Sequence, residues 1–207
     1  GQVAGMGQQV EETDTVQVGK KILQGKQTQK VLAFYKPVGV TCTERDPHAE
    51  KKIMDMIRYP ERLTYAGRLD KDSEGLILLT NDGDLINAMM RGANRHEKEY
   101  IVKTDREITP DFLEKMAKGI YLKDLDITTR ECEIEQIGKF TFRIVLTQGV
   151  NRQIRRMCEA CGYRVKALKR IRIMNILLGD LKPGKWREIT GEELEQLQRD
   201  TGMLNRN

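Results

Sequence analysis

The stretch 65–85, YAGRLDKDSEGLILLTNDGDL, sets Arg68 and Asp70 in a charged turn just ahead of the apolar run Leu76-Ile77-Leu78-Leu79. Asp70 is followed by Asp72, Ser73 and Glu74, with Gly75 to relieve the backbone. A carboxylate so placed is a nucleophile, a general base, or a turn residue that accepts hydrogen bonds from its own backbone, and the local sequence leaves all three open. Two further stretches carry chemistry. In His96-Glu97-Lys98-Glu99-Tyr100 the tyrosine opens a strand, as a core residue or as a ring on which an unpaired base stacks. In Gln148-Gly149-Val150-Asn151-Arg152-Gln153-Ile154-Arg155-Arg156 a glycine turn leads into a helix start bearing three arginines. That arrangement suits phosphate oxygens, and one of the arginines is placed to neutralise a buried aspartate.

The elements that must hold these residues alternate without a regular βαβ rhythm. Strands are expected at Val31-Leu32-Ala33-Phe34-Tyr35, at LILLT, at KEYIVKT, over DITTRECEIEQI, over KFTFRIVLT with Phe140, Phe142 and Ile144 inward, and over VKALKRIRIMNI. Helices are expected over KKIMDMIRY, over DGDLINAMMR with an aspartate near its start, and over TPDFLEKMAKGI with Thr109 as N-cap and Pro110 in the first turn. Two more follow at RQIRRMCEACGY, ended by Gly162, and at GEELEQLQRD. Strands outnumber helices, so the class is α+β with a mixed or largely antiparallel sheet. A main domain begins near Lys30, after two short N-terminal strands that cannot bury a core by themselves.

Composition narrows the function classes. No apolar run reaches the roughly 18 residues of a membrane span, and no basic, apolar leader opens the chain, so a cytoplasmic location is expected. The net charge is +5, yet between Lys139 and Arg187 thirteen Lys/Arg face only Glu159 and Asp180, which puts +11 there and −6 elsewhere. Such segregation favours a polyanion, nucleic acid above all. The four cysteines give one CxxC, Cys158 and Cys161, on a helical stretch where small apolar residues facing the core explain it. There is no phosphate-binding glycine loop and no Cys/His ligand set, and the histidines are only His48 and His96, so neither metal nor cofactor is expected.

Taken together, GRLDKDSEGLILLTND, EKEY and NRQIRRM, in this order, resemble the pseudouridine synthases of the RsuA/RluF type, over residues 30 to 195. MRGANRHEKEYIV is most similar to the RluF branch, which modifies large-subunit ribosomal RNA. The resemblance implies the pseudouridine synthase fold over residues 30–207, a mixed, largely antiparallel central sheet flanked by helices. It also implies that residues 1–25 are the last strands of a small RNA-binding module like that of ribosomal small-subunit protein four, its helical part absent from this chain. The activity implied is cofactor-independent isomerisation of a uridine, by flipping the base, breaking C1′–N1 and rejoining through C5.

Carried over by position, the resemblance makes Asp70 the catalytic aspartate, Tyr100 the tyrosine against the target base, and Arg155 the basic residue that pairs with Asp70. Arg68 would occupy the space the flipped base leaves. Asn151, Arg152, Gln153, Arg156, Lys169 and Arg170 would contact RNA, and Leu168 would line the pocket. Asp72 and Asp84 match no catalytic position and are read as turn and capping residues. The expected partner is a large-subunit ribosomal RNA stem-loop met by a monomer. A competing reading, a non-catalytic RNA-binding or ribosome-assembly protein, needs only the +11 segment, and a carboxylate-dependent hydrolase of nucleosides or sugars would release free base or sugar.

Overall fold

The computed structural model describes residues 28–42 and 53–203, the short strands at 16–18 and 21–23, and the single residues Val3 and Met6. Strands β1 (Val16–Val18) and β2 (Lys21–Leu23) pair with each other. Apart from Val3 and Met6, the rest of the module read at residues 1–25 lies outside the described residues, as does His48. Then follow β3 (Val31–Lys36), the single-turn helix α1 (Ile53–Met56), β4 (Thr64–Tyr65), β5 (Glu74–Thr80) and α2 (Gly83–Met90). The middle of the chain supplies β6 (Lys98–Thr104), α3 (Pro110–Lys118), β7 (Tyr121–Leu122), β8 (Ile127–Thr128), β9 (Glu133–Gly138) and β10 (Thr141–Leu146). Last come α4 (Gln153–Ala160), β11 (Val165–Ile173), β12 (Ile176–Leu177), β13 (Trp186–Glu188) and α5 (Gly191–Asp200).

Among the described residues the main sheet runs β13-β3-β5-β11-β6-β10-β9, with β4 on β5 and β12 on β11. Every pairing in it is antiparallel except β5 with β11, where Gly75 stands opposite Arg170. The fold is thus α+β with a mixed, largely antiparallel sheet. The unbroken Leu76–Leu79 run has its reason in position: β5 is buried on both faces. Leu76 and Leu78 pack with Val31 and Ala33 against Leu85 and Met89 of α2 and Leu197 of α5. Ile77 and Leu79 pack on the other side with Leu32, Phe34 and Ile53. A third core, built on Val102, Phe142 and Leu168, lies under Phe112 of α3 and Met157 of α4.

Several expected elements differ in detail. The strand expected over residues 126–137 breaks in two, because residues 129–132 turn aside to close the end of α3. Thr129 Oγ1 accepts from Ile120 N at 2.8 Å, and Cys132 N donates to Ala117 O at 3.0 Å. Phe140 belongs to the β9–β10 turn and is 38% exposed, while Phe142 and Ile144 are buried as expected. The long strand over VKALKRIRIMNI folds back at Met174, which adopts a left-handed φ of 53°, and continues as β12. Helix α2 is capped by Asp82, whose Oδ1 accepts from Asp84 N and Leu85 N, so Asp84 is not the cap.

Candidate active site

The turn that carries Asp70 is fixed through its backbone. Cys42 Sγ donates to Leu69 O at 3.2 Å and accepts from Leu69 N. Lys36, fully buried, donates from Nζ to Pro37 O at 2.7 Å, Val40 O at 2.8 Å and Lys71 O at 3.4 Å, and Gly39 N also reaches Lys71 O. Arg155 Nη2 donates to Asp72 O at 3.0 Å and Ser73 Oγ at 3.1 Å. Arg170 Nη1 donates to Arg68 O at 3.3 Å, and its Nε to Leu76 O at 2.7 Å. Ser73 N closes the turn on Asp70 O. Each carbonyl from residue 68 to residue 72 is therefore taken, from four separate parts of the chain, and the Asp70 side chain is left to project from a rigid loop.

It projects into a cleft of about 390 Å³. Arg68, Leu69 and Asp70 form one wall, Asn151, Arg152 and Arg155 the opposite one, and Tyr100 and Leu168 lie on the sheet between them. Tyr100 packs against both the β10 core and the β5 core, so the cleft opens where those two cores meet. Arg152 Nη1 stands 3.3 Å from Asp70 Oδ2 and grips Asp72 with two bonds of 3.1 and 2.9 Å. The Asp72 carboxyl is held below the usual carboxylate range, chiefly by its hydrogen bonds from Arg152, against opposing desolvation and with the nearby charge of Arg155 helping. Arg152 itself occupies a left-handed φ of 52° ahead of α4, which is costly for a non-glycine residue and aims its side chain across the cleft.

These contacts revise the expected division of labour. Asp70 pairs with Arg152, not with Arg155, whose guanidinium instead holds the loop at Asp72 and Ser73 and makes its ion pair with Asp72 at 3.5 Å. Asp72 is more than a turn residue, since it draws both arginines to the rim. Arg170 is 2% exposed and Gln153 is 5% exposed, so neither side chain offers itself to a phosphate backbone. Both face inward from their elements, toward the loop and toward Gln148 respectively. Lys169, one residue from Leu168 and Arg170 on β11, is outside the cleft and has its Nζ 6.0 Å from the centre of the Tyr35 ring. Arg156 turns back to Asn151 O at 2.9 Å. Arg68 is exposed at the rim and lines the cleft.

The +11 segment is likewise not an open basic face. Arg143 is shared among Glu99, Glu133 and Glu135, Arg172 between Glu97 and Glu99, and Arg187 binds Glu193. Acids remote in sequence thus neutralise much of it. Cys158 is buried and its thiol is pushed up to about 12 by desolvation, as expected of a packing residue. Among the described residues no group of three or more His, Cys, Asp or Glu is placed to hold a metal. The cleft also contains Lys98, which sequence reasoning passed over as part of a charged motif. Its spacing from Tyr100, two residues along one strand, was the available signal.

A family model described as RNA pseudouridylate synthase matches residues 30–160. The chain is 43% identical over 199 residues to the dual-specificity RNA pseudouridine synthase RluF of Escherichia coli, covering 95% of this chain and 68% of that protein. It is 31% identical over 215 residues to the ribosomal large subunit pseudouridine synthase B of Pseudomonas aeruginosa, covering 98% and 55%. Among solved structures, a crystal structure of a pseudouridylate synthase superposes with a TM-score of 0.78 at 28% identity, over 91% of this chain and 82% of that one.

Proposed function

The chain belongs to the RNA pseudouridylate synthase family, and from that premise we propose that it isomerises one uridine of bacterial large-subunit ribosomal RNA to pseudouridine, with Asp70 as the essential carboxylate. The observation that carries the assignment is the Asp70 loop: its five carbonyls from 68 to 72 are bonded, and the carboxylate alone faces a base-sized cleft beside Arg152. A carboxylate held in this way meets the sugar without reorganising, which is the main economy an enzyme of this kind can make.

The target uridine leaves its stack and enters between Asp70 and Tyr100, while Arg68 at the rim fills the space it vacates. Arg152, 3.3 Å away, orients the Asp70 carboxylate. Asp70 then either attacks the sugar or base or promotes elimination to a glycal, and C1′–N1 breaks with its electron pair leaving on the base. The base turns, C5 bonds to C1′, the C5 proton is lost with Tyr100 beside it, and N1 is protonated. No atom is gained or lost overall.

RNA is held around the cleft by Asn151 and Arg152 with Arg68, and we read the β1–β2 hairpin as part of a separate RNA-contacting module at residues 1–25. No helix among the described residues is long and apolar enough to cross a membrane. We place the enzyme in the cytoplasm, acting as a monomer on a large RNA. The test is tritium release from C5-labelled uridine in a large-subunit ribosomal RNA transcript, wild type beside Asp70→Asn. Release by the wild type with none by the variant is expected. Undiminished release by Asp70→Asn overturns the role of Asp70, and tight RNA binding with no release by either favours a non-catalytic RNA-binding protein.

A further inference from the structure

Lys98 stands two residues before Tyr100 on β6, so both side chains leave the same face of the sheet and both line the cleft. Its cross-strand neighbours are Leu146 on β10 and Ile173 on β11, and Ile86 and Met90 of α2 line the same cleft. Among the described residues its ammonium meets no carboxylate and no hydrogen-bond acceptor. Burial pushes its pKa down to about 8, and the nearby Arg170 adds to the effect. An unpaired ammonium against apolar walls costs stability, so an enzyme retains one where an anion or a strong acceptor arrives to meet it.

The proposed reaction generates such an anion. When C1′–N1 breaks, the electron pair stays on the base, whose negative charge spreads over N1, O2 and O4. When C5 bonds to C1′, that charge is used in the new bond, the C5 proton departs and N1 takes one up. We propose that Lys98 is a further catalytic residue, whose ammonium donates a hydrogen bond to a carbonyl oxygen of the flipped uracil and stabilises the anionic base between cleavage and rejoining. The inference rests on the assignment of this cleft to uridine isomerisation. Arg170 lines the same cleft with its Nη2 buried and unpartnered, but its Nε and Nη1 tie it to Leu76 O and Arg68 O and so to the support of the Asp70 loop, whereas the Lys98 ammonium has no such tie. Asp70 acts at the sugar end and Lys98 at the base end, with the base passing across the Tyr100 ring.

A single-turnover assay with enzyme in excess separates this role from phosphate gripping and from packing. Uridine and 5-fluorouridine are placed in the same ribosomal RNA transcript, because fluorine makes the departing base a more stable anion. Lys98→Met is expected to slow uridine conversion on the order of 100-fold, the scale of losing one preorganised charge donor. It should slow consumption of 5-fluorouridine far less, while RNA affinity stays the same. Lys98→Arg should recover most of the rate. Equal slowing of both bases, a loss confined to RNA affinity, or an unchanged rate would overturn the proposal and leave the synthase reading in place. A wild type that releases no tritium overturns both. If Lys98→Met does not fold, Lys98→Gln supplies the same comparison with an uncharged donor.

Discussion

The guanidinium of Arg152 lies 3.3 Å from the carboxylate of Asp70, and it reaches there from a backbone in the left-handed region. Strain of this kind, about 1–3 kcal/mol, persists where the surroundings overdetermine it. Here the bidentate clasp on Asp72 does so. Arg152→Gly is therefore expected to relieve the strain while losing a half-exposed ion pair worth about 0–1 kcal/mol, leaving the melting temperature within a few degrees of wild type. Single-turnover rate should fall at least about tenfold, since Asp70 loses its only ion-pair partner among the described residues. A variant that melts normally and turns over normally would remove Arg152 from the machinery.

Arg155 behaves differently because it acts on the backbone. Its Nη2 bonds to Asp72 O and Ser73 Oγ, and Ser73 is buried. Arg155→Ala leaves the buried Ser73 hydroxyl without this donor, a loss of about 1–3 kcal/mol, while water can take the exposed Asp72 carbonyl. Thermal melting should drop by several degrees and the rate should fall with it, whereas Arg152→Gly should affect the rate alone. Matching effects from the two variants in both measurements would contradict this separation of roles.

Gly75 makes the parallel join between β5 and β11 possible. A Cβ there would sit 2.3 Å from Arg170 O, and the residue has a φ of +115°. Gly75→Ala must part the strands at the point where Arg170 supports the Asp70 loop. A loss of about 3 kcal/mol or more is expected, roughly a 10 °C fall in melting temperature for a chain of this size. A variant melting within two or three degrees of wild type, read by circular dichroism, would show that the strands accommodate a methyl group.

How much of this was legible depends on what each residue answers to. Strand β6 coincides with KEYIVKT, and α3 begins at Thr109 and Pro110 as expected, because alternation and capping are local rules. LILLT was legible as buried since an apolar run without alternation fits a strand covered on both faces. The burial of Arg170 and Gln153, each bonded inward, was not legible because residue type does not tell which face of a strand or helix meets the core. The choice between Arg152 and Arg155 as the partner of Asp70 turns on a left-handed φ that no residue-type rule assigns to arginine. The charge bias from Lys139 to Arg187 was real, but Glu97, Glu99, Glu133 and Glu193 fold against it from elsewhere.

The half-buried ammonium of Lys98 also makes stability depend on pH. In the unfolded chain its pKa is the ordinary lysine value, about 10.4, and in the folded protein it is pushed down to about 8. Between those values the unfolded state binds more protons than the folded one, so this group's contribution to stability rises with pH. It is complete above the unfolded value and is lost as pH falls through 8, below which the folded protein bears the full cost of a charged amine among apolar neighbours. The charged and titratable groups sharing the cleft, Arg170 on β11, Arg152 and Arg155 at α4, Arg68 and Asp70 on the loop and Tyr100 on β6, are present in wild type and variant alike. Lys98→Met removes only the lysine, so the variant should melt higher than wild type at pH 7, and the gap should narrow as pH rises from 8 to 10. Melting curves for both proteins at pH 7, 8, 9 and 10 provide the measurement. A gap independent of pH, or a variant less stable at pH 7, would mean that Lys98 has found an acceptor in the folded protein and is not held in reserve for the base.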